Sequence, residues 1–257
     1  MSSGKLIKNL RHIRLVTFDI TGTLLNFRRS PSEQYVDVAE SFGYTIPAAL
    51  LSASFIREYK IMEKRHPNYG KTTYGMTYMD WWRVLVANTF LKCNGNIPKD
   101  ELLTIANELI KQFKTETSWV LVDGTVELIT KIKEAGISVG VISNFDGSLE
   151  EILKNMKLPE FDFVLSSYNC GATKPHPQIF QTALKLGGNV KPHQSLHIGD
   201  TFELDYLGAK NAGWSAVLVN PSNDLSEISD HRMYNDNHVF QTLNLFLNSL
   251  LNDNIKF

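Results

Sequence analysis

Short apolar runs alternate along most of this chain with segments of helical periodicity. The first run, residues 13–18, ends at Asp19. The later runs are residues 138–142, 163–165, 195–198 and 216–219. Near-continuous apolar runs are typical of strands that are buried on both faces of a parallel sheet. The alternation of strand and helix therefore predicts an α/β fold with a doubly wound parallel sheet.

The segments between these runs carry signals for helix starts and stops. Residues 125–135 place their apolar side chains on one stripe and are followed by a glycine, which commonly ends a helix. Pro177 suits the first position of a helix that Gly187 would end. Ser148 and Glu151 have the spacing of a capping box, which predicts another helix start. These segments are interpreted as crossover helices.

Residues 27–117 interrupt the alternation. Ser30 and Glu33 predict a capping box that opens a helix. Further helices are predicted at residues 47–64, 77–92 and 98–114. Helices that follow one another without a clear strand indicate an all-helical cap inserted after the first strand. We predict a Rossmann-like core at residues 12–26 and 118–257 and the cap at 27–117.

Inside the cap, Trp81 and Trp82 are adjacent within a predicted helix. Aromatic side chains on a helix usually pack into a core. We therefore predict that both residues belong to the core of the cap and do not enclose a substrate.

Charge and composition narrow the range of partners. The formal net charge is −1 and no block of lysines and arginines occurs, which argues against a nucleic-acid partner. No apolar run is long enough to cross a membrane, so no membrane association is predicted. A small-molecule substrate is compatible with this composition. The oligomeric state is left open.

The cysteines and histidines show no metal-site spacing. Cys93 and Cys170 lie far apart and outside any CxxC pattern, which argues against a disulfide framework or a zinc site. His66, His176 and His197 are not spaced as metal ligands, so structural roles are predicted for them. A reducing compartment follows, and we predict a cytoplasmic protein, with a mitochondrial or nuclear location left open.

Polar residues lie at the ends of the predicted strands or just after them. They are Asp19, Ser143, Lys174, Asp200 and Asp205. In open α/β sheets the ligand crevice lies beyond the carboxyl ends of the strands. Carboxylates, a cation and hydroxyl donors gathered there supply what phosphoryl transfer requires, which is a nucleophile, metal ligands and donors for the phosphoryl oxygens.

Four short motifs contain these residues. They are Asp19-Ile20-Thr21-Gly22-Thr23, Val141-Ile142-Ser143-Asn144, Lys174-Pro175-His176-Pro177 and Gly199-Asp200 followed by Asp205. In this order and structural context they resemble the motifs of the haloacid dehalogenase-like hydrolases. The resemblance extends over nearly the whole chain.

The resemblance implies a nucleophile and a metal site. Asp19 would attack phosphorus and form an aspartyl-phosphate. Mg²⁺ would be held by Asp19, Asp200 and the backbone carbonyl of Thr21, in keeping with the preference of this ion for hard oxygen ligands. The implied substrate is a small phosphorylated molecule.

The resemblance also assigns roles to the residues around the nucleophile. Ser143, the adjacent N–H group of Asn144 and Lys174 would bind the phosphate, and Lys174 would offset the clustered negative charge. Asp205 would orient Lys174 or a water molecule on the metal. Thr23 would fix the loop or donate to the nucleophile.

Position 21 departs from the family pattern. Phosphatases of this family carry there an aspartate that acts as general acid and base, and a threonine hydroxyl cannot replace it near neutral pH. A slow phosphatase is predicted, unless a cap residue such as Glu63 or His66 supplies the base. A phosphate- and metal-binding protein without turnover is the alternative. A metal-independent 2-haloacid dehalogenase is disfavoured because dehalogenases lack the motif that contains Asp200.

Overall fold

A parallel sheet organises the structure, a computed structural model that describes residues 3–221, 231–252 and 255–257. The strands are β1 Leu15–Phe18, β2 Leu25–Phe27, β3 Trp119–Leu121, β4 Ser138–Ser143, β5 Phe163–Ser166, β6 Ser195–Gly199, β7 Ser215–Val219 and β8 Val239–Phe240. Six of them form one sheet in the order β5-β4-β1-β6-β7-β8, and its neighbouring strands run parallel. The predicted fold class is confirmed.

The order of the strands explains how the site is assembled. The chain enters the sheet at β1, adds β4 and β5 on one side, and then adds β6, β7 and β8 on the other. The carboxyl ends of β1, β4 and β6 are therefore neighbours at the point where the winding direction changes. Ligands of doubly wound sheets bind beyond such a switch point.

The helices alternate with the strands or follow one another along the chain. They are α1 Ser3–Asn9, α2 Pro31–Ser41, α3 Ala48–Arg65, α4 Tyr78–Cys93, α5 Lys99–Gln112, α6 Thr125–Glu134, α7 Leu149–Asn155, α8 Ser167–Cys170, α9 Pro177–Leu186, α10 Gly208–Asn211 and α11 Leu243–Asn252. A π-helix spans Phe202–Leu207, and short 3-10 helices span Pro192–Gln194 and Asp236–His238. None of the helices in the described ranges is both long and apolar enough to span a membrane.

The sheet is buried because its strands are apolar on both faces. Strands β1 and β6 consist entirely of buried residues. Helix α9 begins with Pro177 at its first turn, as predicted, and contributes Ile179 and Phe180 to the same hydrophobic core. Burial of a large apolar side chain stabilises a fold by about 1.5–3 kcal/mol, so this core fixes the strand ends on which the site depends.

The contacts divide the chain into two compact units. One comprises Met1–Asn26, Leu121–Asn144 and Lys157–Phe257, and the other comprises Phe27–Val120 and Phe145–Met156. The predicted core range 118–257 also includes residues 222–230 and 253–254, which lie outside the described residues. Residues 145–156, which the sequence places in the predicted core, belong to the same compact unit as the inserted helices.

Three contacts join residues 145–156 to the rest of the helical unit. Glu151 forms an ion pair of 2.7 Å with Lys114, and the Asn155 amide donates to the carbonyl oxygen of Lys114 at 2.8 Å. The indole N–H of Trp82 donates to Asp146 at 2.6 Å. These partners are far apart in sequence, so the periodicity of the chain could not identify them.

The helical unit has its own core. Helix α2 opens with the predicted capping box of Ser30 and Glu33, and α4 opens with a second one at Thr77. Trp81 is fully buried, as predicted, whereas Trp82 is only partly buried. Tyr35, Leu51, Phe90, Ile105 and Leu109 are among the buried residues of the main cluster.

The predicted capping box at Ser148 is wrong. Helix α7 begins at Leu149, but the side chain of Ser148 caps no N–H group of the helix. The main-chain N–H and the hydroxyl group of Ser148 instead both donate to Asp146 Oδ1, at 2.7 and 2.6 Å. Local side-chain acceptors compete with helix caps in this way, and the nearby carboxylate of Asp146 takes both donors.

Candidate active site

The acidic and hydroxyl side chains predicted for the site meet at one edge of the sheet. Asp19 directly follows β1, Ser143 ends β4, and Asp200 directly follows β6. The hydroxyl group of Ser143 donates to Asp19 Oδ1 at 3.0 Å. Residues separated by more than a hundred positions are therefore in contact because parallel strands end at the same edge.

Lys174 is the cationic centre of this group. Its ammonium group donates to Asp19 Oδ1 at 2.5 Å, to Asp205 Oδ1 at 2.5 Å and to the carbonyl oxygen of Ile142 at 2.9 Å. The residue is only 3% exposed. An ammonium group has three hydrogen atoms to donate, and all of them have an acceptor here, as a buried charge requires.

The charges of these groups shift one another's pKa values. Burial alone would lower the pKa of Lys174, but the carboxylates of Asp19 and Asp205 outweigh it and raise that pKa. Burial alone would raise the pKa of Asp205, but Lys174 and His197 outweigh it and lower that pKa. Burial raises the pKa of Asp19 in spite of Lys174. At neutral pH, Lys174 and Asp205 therefore form a fully charged pair.

Asn144 holds the main chain of Lys174. Its side-chain carbonyl accepts from the N–H of Lys174 at 2.7 Å, and its amide donates to the carbonyl oxygen of Lys174 at 3.0 Å. These two hydrogen bonds fix the loop from which the lysine side chain extends. A contact of Asn144 with phosphate stays a prediction.

Three carboxylates form a potential metal site. Ligand atoms of Asp19, Asp200 and Asp205 all lie within 4.8 Å of one another. The pKa of Asp200 is raised to about 7 by burial and by the charges of Asp19 and Asp205. The cluster therefore contains more negative charge than its surroundings neutralise, which a bound cation would correct.

The loop after Asp19 brings its main chain close to Asp200. Gly22 has a φ of +83°, and a Cβ atom at this position would lie 2.5 Å from Asp200 Oδ2. The amide of Asn220 donates to the carbonyl oxygen of Gly22 at 2.8 Å. No sequence signal marks Asn220, because it follows β7 without belonging to a recognisable motif.

The two threonines of this loop differ in their surroundings. Thr21 is half-buried, and its role as a ligand through the backbone carbonyl stays a prediction. Thr23 is fully buried, and its hydroxyl group has no hydrogen-bond partner among the described residues. The hydroxyl of Thr23 therefore donates neither to the loop nor to Asp19 in this structure, whereas its main-chain N–H bonds within the loop, and a role for Thr23 in the site stays a prediction. Main-chain bonds to the carbonyl oxygen of Ile20 close the turn, and the hydrogen bonds to Asp19 Oδ1 come from Ser143 and Lys174.

Asp205 lies behind the lysine, in the π-helix after β6. Its Oδ1 accepts from Lys174 and lies 3.1 Å from His197 Nε2, and its Oδ2 accepts from the N–H of Thr201 at 3.0 Å. Asp205 thus contacts Lys174, one of the two roles expected of it. A Cβ atom on Gly199 would lie 2.2 Å from the carboxyl carbon of Asp205, so the glycine provides the necessary space.

His197 is buried within β6 and belongs to this network. Burial lowers its pKa, which favours the neutral imidazole. The sequence predicted a structural role for His197 but could not identify its partners. The signal that could have revealed one is the strand register, since Thr17 and His197 are paired residues of neighbouring strands.

The suggested bases of the cap hold a turn of the helical unit. Glu63 accepts from the N–H of Asn68 at 3.3 Å, and His66 Nδ1 lies 3.1 Å from the hydroxyl oxygen of Thr73. A role for Glu63 or His66 as general base stays a prediction.

Comparisons with known proteins match most of this chain. A family model described as haloacid dehalogenase-like hydrolase matches residues 13–213. The Rhythmically expressed gene 2 protein of Drosophila melanogaster is 40% identical over 221 residues, which cover 83% of this chain and 85% of that protein. The human Haloacid dehalogenase-like hydrolase domain-containing protein 3 is 36% identical over 208 residues, which cover 80% of this chain and 82% of that protein.

Solved structures show the same fold. An HAD phosphatase from Thermococcus onnurineus has a TM-score of 0.58 at 21% identity, with 95% of this chain and all of that chain covered. A defluorinating L-2-haloacid dehalogenase has a TM-score of 0.65 at 19% identity, with 82% of each chain covered. One neighbour is a phosphatase and the other a dehalogenase, so the fold alone does not distinguish the two reactions.

Proposed function

Because the chain belongs to the haloacid dehalogenase-like hydrolases, we propose that it hydrolyses a small phosphorylated metabolite with Mg²⁺ through an aspartyl-phosphate at Asp19. The observation that carries this proposal is the setting of the Asp19 carboxylate. It accepts hydrogen bonds from Ser143 and Lys174 and lies in one acidic cluster with Asp200. A carboxylate held beside a cation site has what nucleophilic attack on a phosphate requires.

The donor set of the cluster fits Mg²⁺. This ion prefers oxygen ligands and is usually held by one or two carboxylates together with water. Lys174 offers a single positive charge to Asp19 and Asp205, while the pKa of Asp200 is raised to about 7 by burial and by these carboxylates. We assign Asp19, Asp200 and the backbone carbonyl of Thr21 as the ligands. When bound, the cation would neutralise charge on the phosphoryl oxygens.

The close approach of Gly22 to Asp200 gives a first test of the metal site. We expect Gly22→Ala to weaken Mg²⁺ binding by about 10-fold or more, because the new methyl group displaces an assigned ligand. The alanine also adopts a left-handed conformation, which costs about 1–2 kcal/mol of the free energy of unfolding. Calorimetric titration with Mg²⁺ and chemical denaturation measure the two effects separately.

Gly43 is the matched control for this substitution. It has the same φ of +83°, and a Cβ atom there would have nothing within 4 Å. Gly43→Ala is therefore expected to lower the free energy of unfolding by the same amount and to leave Mg²⁺ affinity unchanged. Equal affinities of both variants and the wild type would contradict the assignment of Asp200.

The side chains of the site divide the reaction between them. The carboxylate of Asp19 attacks phosphorus, the new bond from phosphorus to Asp19 forms, and the bond from phosphorus to the substrate oxygen breaks. Ser143 and Lys174, which both donate to Asp19 in the free chain, would turn these hydrogen bonds to the phosphoryl oxygens. Together with the N–H of Asn144 they would offset the charge of the phosphoryl group. Water then attacks the phosphorus atom, which releases inorganic phosphate and restores Asp19.

Thr21 makes this proposed reaction slow. The departing oxygen needs a proton, and the attacking water must lose one. The threonine hydroxyl does neither near neutral pH, so both protons exchange with solvent water. General acid–base catalysis is typically worth about 10²–10⁴ in rate. We expect turnover to be lower by a factor of this order than it would be with an aspartate at position 21.

The same residue supports a second candidate function. A chain that keeps the lysine, the serine and the acidic cluster but lacks the acid–base group could bind phosphate and metal without turning a substrate over. A metal-independent dehalogenase is less compatible with the chain, because Asp200 adds a carboxylate to the cluster that such an enzyme does not need.

Removal of the metal distinguishes these functions. We expect the wild-type protein to hydrolyse acetyl phosphate or p-nitrophenyl phosphate slowly with Mg²⁺, to lose this activity in EDTA, and to regain it when excess Mg²⁺ is added. Binding of phosphate without any turnover would favour the second candidate. Release of halide from 2-haloacids in EDTA would identify a dehalogenase and contradict the proposal.

A further inference from the structure

His197 occupies a position where the sheet would otherwise be apolar. It lies between Leu196 and Ile198 in β6, and all of these residues are fully buried. The ring of Phe180 meets the imidazole edge to face, with ring centres 5.7 Å apart. A polar ring in such surroundings is stabilised only when its nitrogen atoms have hydrogen-bond partners.

Both nitrogen atoms of His197 have a partner. Nε2 lies 3.1 Å from Asp205 Oδ1, and Nδ1 lies 2.8 Å from the hydroxyl oxygen of Thr17. The ionised carboxylate of Asp205 can only accept, so Nε2 carries the hydrogen atom and donates it. Nδ1 then accepts the hydroxyl hydrogen of Thr17. Asp205 thereby selects one tautomer, and the register of β1 and β6, which pairs Thr17 with His197, gives the other nitrogen atom its donor.

The hydrogen bond from His197 is one of three that the Asp205 carboxylate accepts. The carboxylate accepts from His197 and Lys174 on Oδ1 and from the N–H of Thr201 on Oδ2. These three donors fix both its position and its plane. Lys174 in turn uses Asp205 as one of its three acceptors, so the orientation of Asp205 determines where the ammonium group meets Asp19.

We propose that His197 is a positioning residue of the phosphoryl-transfer site, which acts through Asp205 to hold Lys174 against Asp19, with Thr17 holding the orientation of the imidazole ring. The role rests on the proposed function. It also explains why a histidine stands in a strand where an aliphatic residue would pack equally well.

Replacement of the ring tests this role. We expect His197→Phe to lower kcat by about 10-fold to 100-fold, as loss of an outer hydrogen-bond partner does in metal sites, and to change KM less than twofold. His197→Gln places an amide N–H near the position of Nε2, so it should recover most of the lost kcat. A KM that rises with kcat unchanged would overturn the role.

His238 provides a matched control. It is also a buried histidine, it stacks on Phe257, and its Nε2 lies 2.7 Å from the carbonyl oxygen of Lys256. We expect His238→Phe to lower thermal stability while kcat and KM stay at the wild-type values. If His238→Phe and His197→Phe lowered kcat equally, loss of stability alone would explain the lower kcat, and the proposal would be overturned.

A double-mutant cycle tests the path of the effect. If His197 acts through Asp205, the loss caused by His197→Phe should disappear when Asp205→Asn is already present. Losses that simply multiply in the double variant would show that the two residues act independently and would overturn the proposal.

The tautomer can be observed without any turnover. Long-range ¹H–¹⁵N correlation spectra at neutral pH should show one neutral form of His197 with its hydrogen on Nε2, and Thr17→Val should leave this form in place, because Asp205 still accepts from Nε2. A hydrogen on Nδ1 in the wild type would overturn the proposal. Wild-type protein without turnover would overturn the proposed function together with this role, whereas turnover unchanged by His197→Phe would overturn the role alone.

Discussion

Asp19→Asn is expected to lower the turnover of phosphate esters by about 10³-fold or more, because an amide cannot attack phosphorus and no aspartyl-phosphate forms. The fold should survive the change. Burial raises the pKa of Asp19, so its ionised form is less favourable in the folded chain than in the unfolded chain at neutral pH. Asparagine removes this cost, and Lys174 keeps Asp205 and the carbonyl oxygen of Ile142 as acceptors.

We therefore expect the thermal midpoint of Asp19→Asn to equal or exceed that of the wild type while activity is lost. The measurements are hydrolysis of p-nitrophenyl phosphate and a thermal unfolding scan. Asp162→Asn is a suitable control, since Asp162 accepts from Ser138 and Val139 at the opposite end of β4 from Ser143. Retained turnover in Asp19→Asn would exclude Asp19 as the nucleophile.

Thr21→Asp is expected to raise turnover by about 10²-fold, the lower end of what general acid–base catalysis contributes. The carboxyl group would protonate the departing oxygen and then deprotonate the attacking water. The gain should be larger for an alkyl phosphate than for p-nitrophenyl phosphate, because the nitrophenolate ion leaves without protonation. Comparison of kcat for the two substrates measures this difference.

Thr21→Asn is the matched control, because asparagine has the shape of aspartate and no ionisable group. We expect it to leave kcat at the wild-type level. Acid quenching of the reaction with radiolabelled acetyl phosphate adds a second measurement, since phosphoenzyme should accumulate with Thr21 and decline with an aspartate. Equal rates for Thr21→Asp and Thr21→Asn would show that the missing acid–base group does not limit turnover.

Turnover is expected to fall when position 19 loses its carboxylate and to rise when position 21 gains one. Both changes alter the negative charge of the site. The acidic cluster is unfavourable without a cation, as the pKa of about 7 for Asp200 indicates. An added carboxylate at position 21 increases the negative charge of the same loop. Functional sites commonly retain such unfavourable charge because the reaction requires it.

Much of the fold was accessible from local patterns. The starts and ends of β4, β6 and α9 follow from apolar runs and from Pro177, and the structure has them within a residue of the predicted limits. The strands β2, β3 and β8 were missed because each has only two or three residues, too few for a pattern. Ser148 was misjudged because an acceptor two residues away competes with the helix cap.

Which groups gather at the carboxyl edge of the sheet follows from local patterns, because the site residues stand at or after the ends of apolar runs and parallel strands end together. The packing of the folded chain sets what each group contacts. It bonds Asn144 to the main chain of Lys174, leaves the hydroxyl of Thr23 without a partner among the described residues, and joins His197 to Asp205. This difference arises because strand and helix signals act over a few residues, whereas a hydrogen bond between side chains depends on directions set by the packing of segments far apart in the chain.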